Sequence, residues 1–128
     1  MLRRIVLDIQ GKMFAEAISQ ALSECAPSFV IARSDTPEDT VALCKADRAH
    51  ILIMEVTGYP PWRLEERLRL RNELKKHLPE CKIVLLANEN ADAALAESVK
   101  QAKKDGLIDS FIYSSVSPSY LAAMLDTL

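Results

Sequence analysis

Short apolar runs alternate with stretches of helical periodicity along the whole chain. The first run, Ile5-Val6-Leu7, is β-branched-rich, is interrupted by Asp8 and leads to a loop at Gly11. Phe14, Ala17, Ile18, Ala21 and Leu22 then recur at helical spacing, and that helix closes near Pro27. Phe29 to Ala32 predicts a second strand. Thr36-Pro37-Glu38-Asp39 reads as a helix start, with Thr36 as cap, Pro37 at the first helical position and two acids suited to the dipole, in a helix running to about Ala46. His50 to Met54 is the most continuously apolar run, which suits a central strand buried on both faces, and it ends on Glu55. After a Thr57-Gly58-Tyr59-Pro60-Pro61 loop, a helix from Trp62 to His77 carries Leu64, Leu68, Leu74 and Leu78 on one stripe. Lys82 to Ala87 predicts the fourth strand. Asn90 can cap a helix running to about Lys104, with Ala94, Leu95, Val99 and Ala102 on its stripe and Gly106 as terminator. Ser110 to Tyr113 is the fifth strand, and Ser117-Pro118 opens a last helix with Tyr120, Leu121, Met124, Leu125 and Leu128 inward.

Five strands and five helices in strict alternation imply a parallel sheet with helical crossovers, an α/β fold of one domain over residues 1–128. Right-handed crossovers then give a doubly wound (βα)5, flavodoxin-like sheet, commonly in the order 2-1-3-4-5. Such sheets bind ligands beyond the carboxyl ends of their strands, where the chain order reverses. The segments of interest are therefore Asp8 to Gly11, Glu55 to Tyr59, Ala87 to Asn90 and Ser114 to Ser117.

Composition narrows the chemistry. The three glycines, Gly11, Gly58 and Gly106, are isolated, so neither a GxGxxG nor a GxxxxGK[ST] phosphate loop is present. A net charge of -2 gives no electrostatic footprint for nucleic acid or an acidic membrane surface. The Met-Leu-Arg-Arg start is followed by too short an apolar stretch for a signal peptide, and no run approaches the ~18 residues of a membrane span, so a cytoplasmic location is expected. Cys25, Cys44 and Cys81 fit neither a CxxC metal pair nor a disulfide framework and read as reduced thiols. His50 begins a buried strand and His77 ends a helix, positions that call for no catalytic role. Serines 114, 115 and 117 lack a G-x-S-x-G elbow and an evident base. Arg63, Arg67, Arg69, Arg71, Lys75 and Lys76 face Glu65, Glu66 and Glu73 on one helix, which reads as a solvated face laced with Arg–Glu pairs. Trp62, after two prolines at the switch point, is either an exposed anchor or a cover for the pocket.

Over its whole length the chain resembles the receiver domain of two-component response regulators, the CheY-like fold. The resemblance lies in Arg4-Ile5-Val6-Leu7 leading to Phe14-Ala15-Glu16-Ala17, in Lys82-Ile83-Val84-Leu85-Leu86, and in Val116-Ser117-Pro118 with Tyr120-Leu121. It implies a phosphorylatable aspartate ending strand three, two Mg²⁺-holding acids after strand one, a Ser or Thr after strand four and a Lys after strand five. The phosphoacceptor position is Glu55, the acidic pair falls on Ile9 and Gln10 unless a one-residue shift lets Asp8 supply one acid, the hydroxyl position is Ala87 and the lysine position is Ser114. The aromatic switch position of strand five is kept as Phe111.

Each departure has a consequence. Mg²⁺ prefers an octahedron of oxygens, and with one or at most two acids its affinity falls, so no cofactor is expected and any Mg²⁺ site, at Asp8 and Glu55, is weak. A phosphoryl group brings about -1.5 to -2 charge and three acceptor oxygens, which the missing Lys and Thr would recognise. The sequence thus points to a pseudo-receiver, a non-enzymatic signalling domain working through protein contact. Two rivals stay open. One is a working phosphoacceptor with Mg²⁺; the other is a small flavodoxin-like enzyme or ligand-binding domain using Asp8 and Glu55, which would stand a few ångström apart at adjacent strand ends. The resemblance further implies a protein partner or self-association through helix four, strand five and helix five, where Ala93, Ala96, Phe111, Tyr113 and Tyr120 lie. No direct nucleic-acid contact is expected of this domain, although a DNA-binding output domain would follow if the chain is a fragment.

Overall fold

A computed structural model of the chain describes residues 2–88 and 93–128. The elements alternate as β1 (Arg3–Asp8), α1 (Lys12–Cys25), β2 (Phe29–Arg33), α2 (Pro37–Asp47), β3 (Ile51–Val56), α3 (Leu64–Lys75), β4 (Lys82–Ala87), α4 (Ala93–Lys104), β5 (Ser110–Tyr113) and α5 (Pro118–Asp126). All four strand pairings are parallel, in the order β2-β1-β3-β4-β5. β3, the most apolar run, lies at the centre as its composition requires. The switch point falls between β1 and β3, where Asp8 pairs in register with Met54.

Side chains alternate across each strand, and the two faces carry separate apolar clusters. Ile5, Leu7, Ile51 and Ile53 pack with Leu22 of α1 and Leu121 and Leu125 of α5. Val6, Leu52 and Met54 pack on the other face with Cys44 of α2, Leu74 of α3 and Val99 of α4. The parity decides the site, because Asp8 shares the parity of Val6 while Glu55 shares that of Ile53.

Helix ends follow local chemistry with some departures. Ser117 Oγ accepts the backbone N–H of Tyr120 with Pro118 at the first position of α5, as anticipated. Thr36 precedes α2, but its side chain makes no cap. Its hydroxyl donates to Asp39 Oδ2 at 3.0 Å, and the backbone N–H of Asp39 bonds to the Thr36 carbonyl at 3.1 Å rather than to the hydroxyl. Gly106 closes α4 at φ +76°, a left-handed conformation that glycine adopts without steric cost. The cap assigned to Asn90 lies outside the described residues. Tyr120, placed inward by its spacing, is 60% exposed, because the buried stripe of α5 is Leu121, Ala122 and Leu125. Among the described residues no helix is long and apolar enough to cross a membrane.

Candidate functional site

The carboxyl end of the sheet holds two corners on opposite faces. Asp8, the last residue of β1, turns its carboxylate towards α2 and α3 and is 2% exposed. A carboxylate buried so deeply needs a charged or hydrogen-bonding partner, since an isolated ionised group in a low-dielectric interior is prohibitively costly. Arg67 of α3, itself 0% exposed, supplies it. Its Nη1 donates to Asp8 Oδ2 at 2.7 Å and Nη2 reaches Oδ1 at 3.3 Å, a bidentate fork. The same guanidinium donates through Nη2 to the Asp8 carbonyl at 3.2 Å and through Nε to the Glu55 carbonyl at 2.6 Å, so it ties the ends of β1 and β3 together. Thr40 of α2 completes the cluster. Its hydroxyl donates to Asp8 Oδ2 at 2.6 Å and lies 2.8 Å from the Ser34 hydroxyl, which donates to the Thr36 carbonyl.

The sequence-level picture of Asp8 and Glu55 as neighbouring side chains is therefore corrected. They lie near each other in register but face opposite sides of the sheet, with the Arg67 guanidinium between Asp8 and the Glu55 backbone. The reading of the α3 charge run is corrected too. Arg69–Glu65 at 3.9 Å and Arg63–Glu66 at 2.9 Å are surface pairs, with the mutual hydrogen bond raising the Arg63 pKa and lowering that of Glu66. Arg67 is internal, and Arg71 and Lys75 donate to the Leu107 and Cys81 carbonyls at 2.9 and 2.6 Å. A sequence signal for Arg67 existed: it sits within the stripe of Leu64, Leu68, Leu74 and Leu78, a place where a charge must find an interior partner.

On the other face Glu55 Oε1 accepts the backbone N–H of Gln10 at 2.8 Å, just before the start of α1. Here the carried-over positions converge: Glu55, Ala87 and Ser114 line one cavity of about 290 Å³ with Phe14, Leu86 and Asn88. Among the described residues no Lys or Arg pairs with the Glu55 carboxylate. Ile9 is buried in the apolar cluster beneath α1, and Gln10 contributes its backbone rather than a charge.

These residues do not fit Mg²⁺. The ion needs several oxygens in octahedral array, yet both oxygens of Asp8 face a guanidinium and the two positions after it carry no acid. Among the described residues there is no group of three or more His, Cys, Asp or Glu able to hold a metal. His50 accepts the Arg4 N–H on Nδ1 at 2.8 Å, extending the strand ladder, and His77 Nε2 lies 3.7 Å from Glu73. The described cysteines are all unpaired. Burial pushes the Cys44 thiol up to about 12 and that of Cys81 up to about 11, which keeps both protonated and unreactive. Trp62 closes the turn after Tyr59 through its backbone and is half-buried; its indole Nε1 has no hydrogen-bond partner among the described residues. Phe111 stands edge-on to Tyr113 with ring centres 6.1 Å apart and lies under Lys103 Nζ at 5.8 Å.

No protein-family model matches the chain, and no curated protein does. Solved structures match it closely in shape. A response regulator from Thermotoga maritima superposes with a TM-score of 0.79 at 12% identity, covering 99% of this chain and 97% of that one. A CheY-like response regulator receiver domain protein from Methanospirillum hungatei gives 0.77 at 14% identity, over 99% and 93%. A LuxR-family DNA-binding response regulator from Staphylococcus aureus gives 0.74 at 18% identity, over 98% of each. The chain has the fold of the CheY-like response-regulator receiver domain, and the flavodoxin-like class expected from its periodicity is the one observed.

Proposed function

We propose that residues 1–128 form one receiver-type signalling unit that acts through protein contact and neither accepts phosphate nor catalyses a reaction. The observation that carries this reading is the Arg67 guanidinium on Asp8. Where a receiver's acid would recruit a divalent cation, a permanent cation built into α3 already holds the carboxylate. A divalent ion would have to displace a buried, bidentate partner. The opposite corner lacks the other elements of phosphate recognition, with Ala87 and Ser114 where a hydroxyl and a lysine would grip the phosphoryl oxygens. Glu55 carries a fixed negative charge in place of a transferable one. The unit is thereby held in one electrostatic state, independent of a phosphodonor.

Contact through α4, β5 and α5 accords with Tyr120 and Ala93 being exposed there and Phe111 and Tyr113 half-exposed. The S. aureus neighbour is described as DNA-binding. A corresponding output domain in this protein would make the unit a regulatory module, in the cytoplasm. The test is incubation of the chain with acetyl phosphate and Mg²⁺, followed by intact mass and a Mg²⁺ titration monitored by amide shifts. Unchanged mass and no saturable shift near Asp8 are expected. A phosphoryl adduct on Glu55 or a neighbouring residue would overturn the proposal.

A further inference from the structure

The Glu55 cavity adjoins a second one. Phe14, Leu86 and Ser114 also line a cavity of about 270 Å³ between α1 and α5, so the two share three wall residues. The second is walled by Ile18, Leu22, Ile112, Val116 and Leu121 among others, with no ionisable side chain among its described lining residues. Among the described residues Glu55 is thus the one charged side chain lining the two cavities, and it stands at one end. Its Oε1 is held by Gln10 N–H, which fixes the carboxylate in place and leaves its charge without a cationic partner among the described residues.

A crevice of this form, with a fixed anion at its mouth and an apolar channel leading away, matches one ligand chemistry. We propose that it binds a small organic ammonium ion with an apolar tail, the ammonium at Glu55 and Ser114 and the tail between α1 and α5. Anionic ligands are disfavoured by the Glu55 carboxylate, and the described lining residues include no cation to receive them. A neutral apolar ligand would fill the α1/α5 cavity but forgo the charge-assisted contact. The asymmetry of the crevice also fixes orientation, as in small-molecule sites where a few polar groups direct a mostly apolar pocket. The proposal goes beyond the signalling reading and its test involves no phosphodonor, so either can fail alone.

The test is titration of the isotope-labelled chain with n-butyl-, n-hexyl- and n-octylammonium below their aggregation limits, followed by amide shifts, with 1-hexanol as the neutral comparison. Shifts are expected to cluster at Gln10, Phe14, Ser114 and Val116. Affinity should rise by about fourfold for each methylene that enters the apolar channel. Glu55→Gln should weaken hexylammonium by about tenfold and leave hexanol unchanged. Ala17→Trp, at an exposed α1 position on the wall of the crevice, should block both ligands while the helix folds normally. Equal affinity for hexanol and hexylammonium, indifference to Glu55→Gln in a folded variant, shifts centred elsewhere, or no saturable binding would each overturn the proposal.

Discussion

At the end of the sheet two carboxylates leave adjacent strands and meet opposite fates. Asp8 enters the α2/α3 face and is saturated by Arg67 and Thr40 in a dry corner. Glu55 turns to the α1/α5 face, takes one backbone N–H and looks into an open crevice. One residue of parity separates them, and it converts the same functional group from a structural anchor into an available charge. The difference teaches that the parity of a strand end, rather than the chemistry of the side chain, decides what a carboxylate does there. The α2/α3 corner is closed around an internal cation, while the α1/α5 corner holds Glu55 beside Ala87 and Ser114 with no Lys or Arg paired to it among the described residues.

The sharpest way to break this contrast is to remove the internal cation. Arg67→Met leaves Asp8 buried and unpaired, a change that costs about 3–5 kcal/mol in comparable buried pairs. Urea unfolding at pH 7 should show a loss of that size. The double variant Asp8→Leu with Arg67→Met should regain most of it, because a well-packed apolar pair often replaces a buried ion pair at little cost. A loss under ~1 kcal/mol for the single variant would mean that water reaches Asp8 and that the two corners are alike.

The same face should betray itself at alkaline pH. Unfolded thiols lose their protons near their ordinary value of 9.0, whereas folded Cys44 holds its proton to about 12 and Cys81 to about 11. Above pH 9 the unfolded state therefore binds fewer protons than the folded one. Stability must fall as pH rises, by up to ~1.4 kcal/mol per pH unit for each thiol. Unfolding between pH 8 and 10.5 should show that slope, and Cys44→Ala should remove about half of it. A slope unchanged in the variant would place the cause elsewhere.

A smaller effect isolates the hydrogen bond from the ion pair. Thr40→Val keeps the shape of the side chain but withdraws the hydroxyl that donates to Asp8 at 2.6 Å. Hydrogen bonds to charged groups contribute about 1.5–3 kcal/mol, and with Arg67 still in place the loss should fall at the lower end. Combined with Arg67→Met, the two losses should not add, because both act on one carboxylate. Additivity within ~0.3 kcal/mol would separate Thr40 from the Asp8 cluster.

How much of this was legible beforehand depends on range. The elements, their alternation and the sheet order follow from periodicity, and β4 and β5 occupy the spans their apolar runs predict. Gly106 was readable because a left-handed helix end is a local event. Asp8 with Arg67 was not, since the partners are 59 residues apart and a charge run on a helix resembles a solvated face until one member is seen to fall on the apolar stripe. Tyr120 misled for a related reason: spacing assigns a face but not its width, and α5 buries a narrower stripe than its apolar residues suggest. Glu55, Ala87 and Ser114 came from the resemblance, and the structure draws them to one cavity, yet the crevice behind them depends on how α1 and α5 lean together.

The smallest effect is the control that gives the comparison its meaning. Glu55→Gln makes the same chemical change that Asp8→Asn would make at the other corner, exchanging a carboxylate for its amide. At Glu55 the amide oxygen can still accept the Gln10 N–H, no ion pair is lost among the described residues, and Glu55 is only half-buried. Stability should therefore move by no more than ~0.5 kcal/mol, as at ordinary surface positions. At Asp8 the amide would leave the buried guanidinium of Arg67 without its counter-charge, so Asp8→Asn should lose several times as much in the same unfolding assay. Equal losses at both positions would show Glu55 to be a second structural anchor, and its carboxylate would then be committed to the fold rather than presented to the crevice.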